Sequence, residues 1–137
     1  MKILLTALSI LFFTQLSQAQ IEKVVHQTFD LGDNKSISLG IVGEVQVVPW
    51  AGNTIMTETR IEIYDASPSI FNHFLEVERR YEIEADTTGN QFKLYSFDQE
   101  RKAIKTKNGT CPEIVEIKVY VPEEFHQQDE LTLVRTD

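Results

Sequence analysis

Apolar and polar residues alternate with a period of two along most of the chain. Between positions 54 and 64, Ile55, Ile61 and Ile63 share one side of an extended segment with Thr57 and Thr59, while Met56, Glu58, Arg60 and Glu62 share the other. Between 114 and 121, Val115, Ile117, Val119 and Val121 alternate with Glu116, Lys118 and Tyr120, and Pro122 closes the run. Both segments are predicted to be half-buried strands. Weaker alternation predicts further strands over 23–31, 36–41, 44–48, 81–85 and 91–97. Residues suited to turns separate them: Gly32-Asp33-Asn34, Val42-Gly43, the run 49–53 that contains Trp50 and Gly52, Gly89-Asn90 and Asn108-Gly109. Their spacing predicts a meandering sheet, with 44–48 and 54–64 forming one hairpin and 81–85 and 91–97 another.

One segment changes period. Ser67 precedes Pro68, and Ile70, Phe71, Phe74, Leu75 and Val77 then recur at helical spacings. This predicts a helix over 67–80, with Ser67 as N-cap and Pro68 at its first position. Glu76 stands four residues before Arg80, the favourable order for a surface ion pair. Phe71 and Phe74 are expected to lie on the sheet and help close the core. Beyond 123 the chain is polar apart from Phe125 and 131–134, which leaves room for an edge strand or a loose tail. The fold class expected is mainly β, an antiparallel sandwich or roll, or a short β-solenoid, with one α-helix packed on the sheet.

The first residues carry an address rather than structure. Lys2 is followed by an apolar run to Phe13, and Ser17-Gln18-Ala19 places small residues three and one positions before a cut, the pattern of a secretory signal peptide over 1–19. The run is shorter than the roughly 20 residues of a bilayer span, so no membrane span is expected after cleavage, and 20–137 is expected to be one domain. Cys111, the single cysteine, lies far from the cut and has no internal partner. With Pro112 and a strand directly after it, it is expected to be buried as a small hydrophobe.

Charge narrows the function classes. Of the 137 residues, 13 are basic and 21 acidic, a net charge of -8 that argues against coating nucleic acid, where phosphates must be neutralised. Against that background Arg101, Lys102, Lys105 and Lys107 form a local basic run that would attract the anionic groups of an envelope glycan, or would simply be a solvated hairpin arm. Trp50, placed in a turn, would stack on a sugar ring or fold back on its own hairpin. His26, His73 and His126 lie on separate elements without metal-binding spacing, and Asp30, Asp33 and Asn34 read as an Asx turn. No cofactor or metal is expected. Neither Cys111 with a histidine nor glutamate pairs such as Glu58 and Glu62 carry a local catalytic signature, so an enzyme is not expected and a small hydrolase is the remote alternative.

The stretch 36–64, with Val42-Gly43-Glu44-Val45, Trp50, Gly52 and a long alternating strand, and the closing Lys118-Val119-Tyr120-Val121-Pro122 resemble the auto-transporter adhesin head-GIN-like family of exported β-rich bacterial envelope proteins. The resemblance runs from about Val24 to Pro122. It departs from the family pattern in lacking glycine- and asparagine-rich rungs and in its added helix. It implies a periplasmic, cell-surface or secreted location and a role in binding an envelope glycan or protein, and it brings no catalytic residues. The alternative is an accessory domain that pairs with another chain through a sheet edge.

Overall fold

A computed structural model describes residues 20–136. The signal-peptide segment 1–19 lies outside the described residues. Among the described residues, eleven strands form two packed sheets and a small arm. The first sheet has the order β1 (Gln20–Phe29), β4 (Ile55–Tyr64), β9 (Glu113–Pro122), β3 (Glu44–Trp50). The second has the order β10 (Phe125–Asp129), β11 (Thr132–Arg135), β2 (Ser36–Gly40), β6 (Gln91–Ser96), β5 (Ile83–Thr88). The arm pairs β7 (Lys105–Thr106) with β8 (Gly109–Thr110). The result is a β-sandwich with one short helix.

The topology departs from a meander. The strand β3 does not form a hairpin with β4; β9 is inserted between them, parallel to β3 and antiparallel to β4. A second parallel pair, β2 with β6, sits in the other sheet. The hairpin expected from 81–85 and 91–97 does form, as β5 and β6 about a Gly89 with φ +63°. The tail supplies two strands rather than one, and β11 lies inside its sheet with β10 outside it. Trp50, expected in a turn, is the last residue of β3.

Two apolar clusters follow from unequal strand length. Between the sheets, Ile37, Leu39, Phe92, Leu94 and Leu133 meet Ile55, Ile117, Val119 and Val121. The ten-residue strands β1, β4 and β9 extend past the second sheet, and there Ile61, Ile63 and Tyr81 are covered by Phe71 of the helix, with Ile104 and Cys111 beside the arm. The strand β4 contributes buried residues to both clusters, and Val115 of β9 packs against each.

The helix starts as expected. Ser67 Oγ accepts from the Ile70 N–H at 3.2 Å, and α1 spans Pro68–Asn72. It then widens into a π turn, His73–Val77, in which the Glu78 N–H donates to the His73 carbonyl. The extra residue per turn rotates the subsequent side chains out of α register. Val77, expected on the apolar face, is 68% exposed. Arg79 takes φ +53° and Arg80 swings inward, so the Glu76–Arg80 surface pair is replaced by a buried one with Glu113.

Gln27 closes one side of the sandwich. Its amide accepts from the Ile83 N–H at 3.0 Å and donates to the Ile83 carbonyl at 2.9 Å, so one side chain imitates a strand between β1 and β5. No helix among the described residues is long and apolar enough to cross a membrane.

Candidate functional site

The residues singled out for binding separate in space. Trp50 folds over its own turn: its indole N–H donates to the Thr54 carbonyl at 2.9 Å, the ring lies across Gly52, and Tyr120 packs at 6.2 Å. Arg101 turns inward with φ +39°, its guanidinium 5.7 Å from the Tyr81 ring and close to Gly43, and its Nε is buried without a partner. Burial, followed by the like charge of Arg80, lowers its pKa. Lys102 pairs in solvent with Glu100 at 3.1 Å, Lys105 lies on β7, and Lys107 occupies the exposed tip of the arm. The arm precedes the first residue of β9, whereas Trp50 is in register with Pro122 at its last. The length of β9 therefore stands between them, roughly 30 Å at the usual rise per strand residue.

An ionic cluster under the helix carries no local signal in the sequence. The Arg80 guanidinium donates through Nε and Nη2 to both oxygens of Glu113, each at 3.0 Å, and the Tyr81 hydroxyl donates to the same carboxylate. Burial alone would raise the Glu113 pKa, but the Arg80 and Tyr81 hydrogen bonds outweigh it and hold the group below its ordinary range. Burial first, then Glu113, pushes the Tyr81 hydroxyl up. Every member is satisfied by another protein group, so the cluster reads as a strut between the helix end and β9 rather than as reactive chemistry. Cys111 is buried with its Sγ 3.6 Å from the Asp65 carbonyl. Among the described residues no group of His, Cys, Asp or Glu gathers as metal ligands.

What the fold does expose is an uneven set of four strand edges. On β1, Lys23 stands on the inward side, in register with buried Ile61, and an inward charge deters a further strand. On β5, Gln27 already occupies the backbone of Ile83. On β10, the register shifts between Gln127 and Asp129, and a bulge breaks the edge. The strand β3 has none of these devices before Pro49. The Trp50 carbonyl accepts from the Glu123 N–H, toward β9. Because backbone direction alternates along a strand, the N–H and C=O groups of Val45 and Val47 point away from β9 to the free edge.

The inward side chains of this edge meet a groove. The sheets diverge between β3 and β10, leaving two adjoining cavities of about 470 and 370 Å³. Leu39, Ile41, Val45 and Leu131 line the first, and Pro49, Val121, Phe125 and Leu133 the second. Val47 and Gln127 line both. Leu131 is 61% exposed at the mouth. Period-two patterning marks Val45 and Val47 as core-facing, but it carries no signal that they sit at an edge.

Comparison with protein-family models, curated proteins and solved structures finds no match to this chain.

Proposed function

We propose that this is an exported, non-enzymatic domain whose β3 edge captures an extended segment of a partner protein by β-augmentation. The carrying observation is the contrast among the four edges. Three are blunted by an inward lysine, a glutamine clasp or a bulge, while β3 presents free backbone groups above an open groove of mixed lining. Main-chain hydrogen bonds to Val45 and Val47 would supply affinity, and side chains entering the groove would supply selectivity. Export rests on the leader pattern over 1–19, and the resemblance to envelope adhesin-like domains fits the same role. A glycan site built from Trp50 and the run 101–107 has no shared surface to act from, because the two lie at opposite ends of β9.

A phage-displayed library of ten-residue segments, selected on the protein and counter-selected on Val47→Lys, tests the reading. That variant places on β3 the inward charge that Lys23 places on β1. The expected result is clones of alternating apolar pattern that bind the parent and not the variant, and that slow amide exchange at Val45 and Val47 of the parent. Clones that bind both proteins equally, or that leave those two amides unchanged, overturn it.

A further inference from the structure

We infer that the exported chain begins at Gln20 as pyroglutamate, a cyclic lactam formed when the α-amine of Gln20 closes on its own side-chain amide. The inference rests on the export reading and not on docking at β3: the small residues Ser17 and Ala19 set the cut before Gln20, which then becomes the first residue. Ring closure needs a nitrogen that is neither bonded into a sheet nor held as ammonium, and a carboxamide free to turn toward it. The edge strand β1 meets each condition at Gln20.

Gln20 is in register with Tyr64 of β4. The Tyr64 N–H donates to the Pro112 carbonyl at 2.9 Å, toward β9, so Tyr64 turns its backbone groups away from β1. In an antiparallel ladder the register partner of such a residue is not hydrogen-bonded to it either, and the Gln20 nitrogen points to the open side of β1. Gln20 is exposed, whereas the amide of Gln27 on the same strand is held by the Ile83 backbone. Glu22 and Glu62 share the Gln20 face of the sheet, and both bond Arg60, at 2.9 and 3.0 Å. The Tyr64 hydroxyl also donates to Glu62. Both carboxylates are thus engaged before either can clamp the amine as a cation, and a terminal amine with its ordinary pKa of about 8 is partly neutral at neutral pH. The neutral nitrogen attacks the side-chain carbonyl carbon Cδ. The new N–Cδ bond replaces the bond from Cδ to Nε2, and a proton from the amine leaves with Nε2 as ammonia. No co-reactant enters. The product has no α-amine, so an exopeptidase that must bind one cannot start on β1, and the sheet edge loses a positive charge.

The test expresses the full chain with its leader in a secreting bacterial host and reads the purified protein by intact mass and N-terminal sequencing. The expected mass is that of residues 20–137 less one ammonia, with sequencing blocked until pyroglutamyl aminopeptidase, acting on the denatured chain, exposes Ile21. Gln20→Asn, one methylene too short to close the ring, is expected to keep its amine and its full mass. Folded protein caught with the amine still free is expected to cyclise at neutral pH at the same rate as a synthetic peptide of residues 20–29, because the sheet does not hold that nitrogen. A chain that begins at Gln20 and keeps its amine after the peptide has lost its own overturns the lactam and leaves the cut standing. A chain that starts at another residue, or that keeps its leader, overturns the cut and the lactam together.

Discussion

Glu113 neutralises an arginine that is 3% exposed, and the two leave each other little alternative. Glu113→Gln is expected to cost about 3–5 kcal/mol in urea unfolding, because the guanidinium stays buried without its counter-charge. Replacing the pair together by Met and Leu is expected to recover most of that loss. The same cluster limits stability at both ends of the pH scale. The Glu113 pKa is lowered in the folded state, so its contribution is complete above its ordinary value of 4.5 and is lost as pH falls through the lowered value. The Tyr81 pKa is raised, so its contribution is complete below 10.0 and is lost as pH rises through the raised value. Thermal melts across pH are expected to show both declines, with Tyr81→Phe removing the tyrosine's share of the alkaline one and, because its hydroxyl helps hold Glu113 low, shrinking the acid one as well. Gly52 is constrained differently: a Cβ there would collide with Cζ2 and Cε2 of the Trp50 ring. Gly52→Ala is expected to push the indole off its turn, break its bond to Thr54 at about 1 kcal/mol, and shift Trp50 emission to the red.

Gln27 joins two edge strands that have no backbone contact of their own. Gln27→Leu keeps the bulk and removes both hydrogen bonds, leaving the Ile83 N–H and C=O without partners. A loss of about 1–3 kcal/mol is expected, with faster exchange at the Ile83 amide as the local sign. The π turn shows a related principle in the helix. Without the added residue Arg80 would point to solvent near Glu76, and Glu113 would lose the guanidinium that bonds both of its oxygens. The widened turn therefore decides whether the helix is fastened to β9 or only rests on it.

The two apolar clusters share β4 and β9, so their stability is expected to be shared. Phe71→Ala, made in the helical cluster, is expected to cost about 3–5 kcal/mol. It should lower the transition seen by Trp50 fluorescence as much as that seen by far-UV circular dichroism, although Trp50 lies at the far end of the sheet. Separate midpoints for the two probes would show that the interior is divided. The free β3 edge also belongs to the assembled sandwich. It exists because β9 takes the place beside β4 that a simple hairpin would have given to β3.

Strand identity, the inward face of each strand and the helix start were legible along the chain, because alternation and capping are local: each depends on neighbours within a few residues. Ile61 and Ile63 pointed inward, and Ser67 capped the helix that opens at Pro68 by accepting from the Ile70 N–H, as their patterns required. Pairing was not legible, since an alternating pattern names the buried face of a strand and says nothing about which strand lies beside it. The sheet order of β3 and β9, the inward turn of Arg80 and Arg101, and the separation of Trp50 from Lys105 and Lys107 arise from contacts between segments distant in sequence. The groove at β3 has the same origin: its valines are ordinary core residues in any local reading, and they border open space because the two sheets part there.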